Sequence, residues 1–217
     1  MSRQRGEWPL PGTVKPYHRH TFVCTGESSW PPRLEEADGL LGRMARDVRA
    51  LRAGDEAAPK LTATDEAPEG AGCDLLIFPE GVRYSGVDGA TWPGILRDHI
   101  QGGRISAAVP HRLLSGLHIF VCIHANRDER CGRCGPPVRR AIEAACATED
   151  LVHVTVRATS HVGGHKYAAN VLVYPEGVWY GYVRPEDADR IVREHLKERR
   201  IVEDLWRGSM APARPGP

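Results

Sequence analysis

Leu76-Ile-Phe-Pro-Glu-Gly-Val-Arg-Tyr84 recurs 96 positions later as Leu172-Val-Tyr-Pro-Glu-Gly-Val-Trp-Tyr180. The stretch behind it, Ile95-Leu-Arg-Asp-His-Ile-Gln-Gly-Gly-Arg-Ile105, recurs at the same offset as Ile191-Val-Arg-Glu-His-Leu-Lys-Glu-Arg-Arg-Ile201. Upstream, His20-Thr-Phe-Val-Cys24 matches His118-Ile-Phe-Val-Cys122 at an offset of 98. Three blocks in one order at nearly one offset point to a tandem duplication with its boundary near Ser106–Ser115. Two units follow, at 14–110 and 113–208.

The second unit is the easier to read. Leu117–Cys122 has the length and β-branching of a buried strand. A polar, glycine-rich loop is expected through Gly135, with Pro136-Pro137 opening a helix whose buried face carries Val138, Ile142 and Ala145. Leu151–Ala158 alternates as a strand, and Asn170–Tyr174 is the next. Pro175-Glu-Gly177 turns that strand into Val178–Val183 as a hairpin. Pro185-Glu-Asp opens a last helix with Ile191, Val192 and Leu196 on one side. The order β-α-β-β-β-α predicts an α/β fold, a tandem pair of thioredoxin-like domains with helices on the faces of a short sheet. The first unit fits the same outline, with a helix from about Pro32 to Leu51 and an acidic, proline-rich loop over Gly54–Gly72.

With 29 basic and 28 acidic residues in 217, the net charge of +1 argues against nucleic acid or an anionic membrane as a bulk partner. No apolar run approaches the roughly 18–20 residues of a membrane span, and no apolar stretch backs the first arginines as a secretory signal would. A cytoplasmic protein is expected. Its six cysteines should then be thiols or ligands rather than disulfides, and Cys73 and Cys146 read as small buried hydrophobes.

Chemistry concentrates in the second unit. Cys122-Ile-His-Ala-Asn-Arg-Asp-Glu-Arg-Cys131 is followed by His161-Val-Gly-Gly-His165. Two thiolates and two imidazoles on separate loops leave tetrahedral zinc and a [2Fe–2S] cluster as candidates. Eight residues between the cysteines is loose for a zinc knuckle and suits a larger core. Gly163 and Gly164, without Cβ atoms, would let backbone approach such a core. The first unit keeps Cys24 but has no counterpart of Cys131, and Asp65–Glu69 falls where the histidines should be. It reads as a degenerate packing partner.

Cys122-x-His124-x-x-Arg127-Asp128-x-x-Cys131, Ser160-His-Val-Gly-Gly-His165-Lys-Tyr-Ala-Ala-Asn170 and Tyr174-Pro-Glu-Gly-Val-Trp-Tyr180-Gly together resemble the sucrase/ferredoxin-like family, specifically over about 117–183. The resemblance implies a thioredoxin-like [2Fe–2S] ferredoxin with Cys122, Cys131, His161 and His165 as ligands. It further implies a one-electron carrier served by a redox partner protein. Proton coupling is expected, because a ligating imidazole keeps a second titratable nitrogen. A structural zinc module for protein interaction, or a thiol oxidoreductase using Cys131 and Cys134, are the alternatives. Cys134 otherwise reads as a bystander, His124 as a hydrogen-bonding loop residue, Arg127 and Asp128 as a local ion pair, and Trp179 and Tyr180 as core. No phosphate loop, dinucleotide fingerprint or Ser–His–Asp arrangement is found, so a carrier is expected rather than an enzyme. An exposed edge or a face shared between the units would allow a homodimer.

Overall fold

The computed structural model describes residues 8–51 and 57–211. Its described strands are β1 (His20–Cys24), β2 (Lys60–Thr64), β3 (Cys73–Phe78), β4 (Val82–Val87), β5 (His111–Leu113), β6 (Leu117–Cys122), β7 (Val154–Thr159), β8 (Val171–Tyr174), β9 (Val178–Tyr180) and β10 (Trp206–Ser209). They form one sheet in the order β10-β9-β8-β6-β7-β2-β1-β3-β4-β5. The helices are α1 (Gly39–Ala50), α2 (Trp92–Ile95), α3 (Glu129–Thr148) and α4 (Ala188–Arg190). Both α2 and α4 continue as π-helices, over Leu96–Gln101 and Ile191–Lys197.

The α/β class and the β-α-β-β-β-α order expected from the sequence are both present. Each unit pairs its first two strands in parallel and then runs back through two antiparallel strands: β1 with β2 and β3, and β6 with β7 and β8. The units meet at the middle of the sheet, where β2 and β7 pair antiparallel through Thr64 and Thr159. That short ladder is extended by side chains. Thr64 Oγ1 donates to Ala158 O at 2.8 Å, and the Ala63 N–H donates to Ser160 Oγ at 2.9 Å. Thr159 Oγ1 donates to Thr62 Oγ1 at 3.0 Å. Asp65 and Glu66 add ion pairs to Arg139 and Arg157 across the same join.

Alternation along the strands decides which side chains meet. Ile119 and Val121 face α3 and α4 in one core, while Val23, Leu75 and Ile77 face α1 and α2 in another. The opposite parity, Phe22, Cys24 and Phe78 with Phe120, Cys122 and Tyr174, forms a third core shared by the two units. Phe22 and Phe120 stack there with ring centroids 3.6 Å apart. Cys122 is thus turned toward the first unit because it shares parity with Phe120.

Four expectations need correction. The segment 54–72, read as a loop, contains β2, a central strand (its residues 54–56 lie outside the described ones). Lys60-Leu-Thr-Ala-Thr64 has little apolar content; it is covered by β1 along its length, by β7 at Thr64, and by the cluster around Trp30 and Ala158 that takes Leu61 and Ala63. The helix expected over 32–51 is a 3-10 turn, Leu34–Glu36, followed by α1 from Gly39. The loop expected through Gly135 is helix: α3 starts at Glu129, capped by Asp128, whose side chain accepts from the Arg130 N–H, and Pro136 and Pro137 lie inside it. Glycines that looked like breakers are there for clearance. A Cβ on Gly135 would lie 2.2 Å from the Cys122 carbonyl oxygen, and one on Gly132 would lie 2.4 Å from Ala125 Cβ. The strand expected from Leu151 begins at Val154, and Val152 is 88% exposed.

Candidate metal centre

Cys122 ends β6 and is buried, its N–H bonded to the Asn170 carbonyl at 3.1 Å. Cys131, in the first turn of α3, is also buried. With His161, on the loop after β7, these two bring three donor atoms within 4.8 Å of one another. Cys131 Sγ lies 3.8 Å from His161 Nδ1. His165, the fourth sequence-predicted donor, is outside that trio. Its ring stacks beside His161 with centroids 5.5 Å apart, its side chain is 46% exposed, and its Nδ1 lies 3.4 Å from Asp128 Oδ2.

The two thiols are too close to ionise independently. A hydrogen bond from Cys131 holds the Cys122 thiol below its ordinary range, and the same contact together with burial pushes Cys131 up. One thiolate forms readily, while the second needs a cation beside it to compensate the charge. Soft sulfur donors next to an imidazole fit zinc, Cu(I) or an iron–sulfur cluster, whose ligation removes both thiol protons.

Neighbours fix these donors. The His161 N–H donates to His124 Nδ1 at 3.1 Å, which makes His124 Nε2 the protonated nitrogen that donates to the Trp30 carbonyl at 3.1 Å. Burial lowers the His124 pKa, in keeping with a neutral ring. The sequence reading of His124 as a hydrogen-bonding loop residue therefore describes its place. Its anchor in the first unit, Trp30, carries no local signal across 94 residues. The expected Arg127–Asp128 pair is not formed: Asp128 Oδ2 is 2.7 Å from Arg130 Nη2, because capping α3 turns the carboxylate toward the helix. That pairing lowers Asp128 to about 2, with burial opposing it.

The glycines of the histidine loop are also required by the backbone itself. Gly163 and Gly164 adopt φ of 94° and 72°, a left-handed region that disfavours other residues. A Cβ on Gly164 would strike Arg207 Nη2 at 2.4 Å, while one on Gly163 would meet nothing within 4 Å. Asn170 Nδ2 donates to the Gly164 carbonyl at 3.1 Å, and Arg207 Nη1 donates to Asn170 Oδ1 at 2.5 Å. Asn170, just before β8 and at the end of the Ser160–Asn170 histidine stretch, and Arg207 in β10 thus brace the loop, and only Arg207 is unannounced by the sequence.

The remaining cysteines stand apart. Cys134 packs against the core under α3 and α4, whereas Cys131 belongs to the shared core, so the two thiols of the C-x-x-C face different surroundings. All six cysteines are free. Cys146 is buried as expected, and Cys73 is half-buried. Trp179 and Tyr180 are buried, matching their reading as core. Cys24 is buried with its thiol pushed up to about 12 by burial. No described helix is long and apolar enough to cross a membrane.

Residues 10–208 match the family described as sucrase/ferredoxin-like. Among curated proteins, the chain is 40% identical over 115 residues to "Altered inheritance of mitochondria protein 32" of Clavispora lusitaniae, covering 46% of this chain and 42% of that one. It is 34% identical over 119 residues to "Actin patches distal protein 1" of Saccharomyces cerevisiae, covering 48% and 37%. Each match spans less than half the length of that relative. Among solved structures, a thioredoxin-like [2Fe–2S] ferredoxin from Aquifex aeolicus is 30% identical, with a TM-score of 0.42 over 46% of this chain and 96% of that chain. With almost the whole described chain matched and a thiol–imidazole trio at the motif, this protein belongs to the sucrase/ferredoxin-like family.

Proposed function

We propose that the chain is a one-electron carrier holding a [2Fe–2S] cluster through Cys122, Cys131, His161 and His165. The observation that carries this reading is the meeting of two buried thiols and one imidazole within 4.8 Å, with a second imidazole stacked on the first. Such a cluster supplies one-electron redox chemistry at a potential raised by imidazole ligation. The chain supplies the rest. His124 fixes the backbone of His161, and burial in the shared core keeps water from the thiols.

Asp128, held ionised by Arg130, faces Nδ1 of His165 and leaves Nε2 as the ring atom turned elsewhere. Burial lowers the His165 pKa while that carboxylate opposes the shift, and a ring that titrates at this half-exposed edge supports proton-coupled transfer. The same edge is where a redox partner protein would approach.

A zinc site is the second reading, favoured by the compactness of the trio. Anaerobic loading with iron and sulfide separates the two. Red-brown protein with two irons and two labile sulfides per chain, as a [2Fe–2S] core requires, supports the carrier. Colourless protein that takes one zinc and no iron sinks it. The relatives' name refers to mitochondria, so a mitochondrial setting is proposed beside the cytoplasmic one expected from the sequence. Fractionation of cells expressing the full protein distinguishes the two.

A further inference from the structure

The histidine loop also borders a cleft of about 1060 Å³, whose lining includes Arg207, His161, Gly163 and Gly164. Its lining carries seven lysines and arginines, of which Arg33 and Arg49 are paired with Glu36 at 3.9 Å and Glu35 at 2.8 Å, and Glu35 is the one carboxylate in the lining. The whole chain has a net charge of only +1, so positive charge is concentrated here.

Arg207 is 2% exposed, and its hydrogen bonds run to neutral oxygens: Asn170 Oδ1, Thr13 Oγ1 and the Thr13 carbonyl. Its guanidinium otherwise lies on the rings of Tyr167 and Trp179. Lys60 and Lys166 also rest on aromatic faces, and Lys15 is exposed at the rim. A guanidinium removed from water beside neutral partners leaves its charge uncompensated, and an entering anion gains a strong charge-assisted bond there. Three hydrogen bonds use three of the five N–H groups a guanidinium offers.

We infer that this cleft binds a small multivalent anion, carboxylate or phosphate in chemistry, gripped by Arg207 at the floor and by Lys15 and Lys166 around it. Depth favours a small ligand over an acidic polypeptide, since the buried guanidinium is reached only by a group that enters the cavity. The volume is near the upper end of small-molecule pockets, about 300–1,000 Å³. The site stands whether or not a cluster occupies the neighbouring donors, and its readout is independent of iron.

Titration calorimetry of the full chain with succinate and with inorganic phosphate tests the assignment and separates the two chemistries. Saturable binding of either is expected. It should weaken about tenfold or more in the Lys15→Gln/Lys166→Gln double variant, as loss of charge-assisted contacts predicts, and be unchanged in Lys197→Gln, outside the cleft. Arg207→Lys, which keeps the charge and loses the fork, should weaken binding while circular dichroism reports a folded chain. No binding of either anion at millimolar concentration overturns the proposal. So does equal weakening by Lys197→Gln, or binding of a hexaglutamate peptide in the absence of binding by both small anions.

Discussion

Sγ of Cys131 lies 3.8 Å from Nδ1 of His161, tying the first turn of α3 to the loop after β7. Metal retention should therefore depend on both elements together. Cys122→Ser, Cys131→Ser and His161→Ala are each expected to reduce bound iron more than about 100-fold, beyond the 10–100-fold scale of losses seen when only a ligand's support is removed. Iron and labile-sulfide analysis after loading checks this. Full iron content in any of the three would remove that residue from the ligand set.

Asp128 has two separable tasks, capping α3 and facing His165. Asp128→Ala should destabilise the fold by about 1 kcal/mol through the lost cap, measured by urea unfolding of the metal-free chain. Asp128→Asn keeps a capping oxygen and should unfold nearly as the parent does. Both variants lose the charge beside His165 and should hold iron less tightly, so equal iron affinity in Asp128→Asn and parent would detach Asp128 from the centre.

His124 joins the donor loop to the first unit. His124→Ala leaves the His161 N–H and the Trp30 carbonyl without this partner, and should cost about 1–3 kcal/mol, the usual range for stranded polar groups. His124→Gln restores part of that loss, since an amide both accepts and donates. Chemical denaturation and iron content read together would show stability and loading falling in the same order.

Stability should depend on pH through His118. Burial, reinforced by Arg157, lowers its ring from the ordinary 6.5 to about 4. Its Nδ1 accepts from Arg157 Nη1 at 3.0 Å and meets Thr155 Oγ1 at 2.9 Å. The unfolded chain binds this proton more readily, so the stabilisation is whole above pH 6.5 and drains away as pH falls toward 4. The full effect is about 3 kcal/mol at 1.36 kcal/mol per unit. Unfolding free energies measured from pH 7.5 to 4 should slope less in His118→Gln; an unchanged slope would acquit this residue.

A matched pair of tyrosines offers a test of the two units. Tyr84 OH bonds His99 Nδ1 at 2.8 Å and receives the Ser106 N–H at 2.8 Å. Tyr180 OH bonds His195 Nδ1 at 2.8 Å and receives the Val202 N–H at 3.3 Å. Tyr84→Phe and Tyr180→Phe should each cost about 1–3 kcal/mol by stranding a buried N–H. Calorimetric unfolding should show similar losses, whereas a loss confined to one variant would mean that the two bonds are not equivalent supports.

Much of this architecture was legible in the residues. The offset blocks locate β1, β3, β4, β6, β8 and β9, since buried strands leave apolar runs. β2 left none, because Lys60-Leu-Thr-Ala-Thr64 offers only Leu61 and Ala63 to the apolar clusters and joins β7 through threonine hydrogen bonds. The start of α3 was obscured by Gly132, Gly135, Pro136 and Pro137, although Asp128 was the capping signal in view. Cysteine and histidine spacing marked the three residues that meet, Cys122, Cys131 and His161. Two of their holders, Trp30 and Arg207, come from distant strands and loops, and nothing local distinguishes them.

Trp30, in the unit that carries no donors, accepts the His124 hydrogen bond. A trimmed protein consisting of the second unit alone would lose this acceptor and bare the β7 edge that β2 covers. The first half of the chain is therefore a buttress for the loop that carries His161, and shortening the protein to its motif-bearing half would loosen that loop.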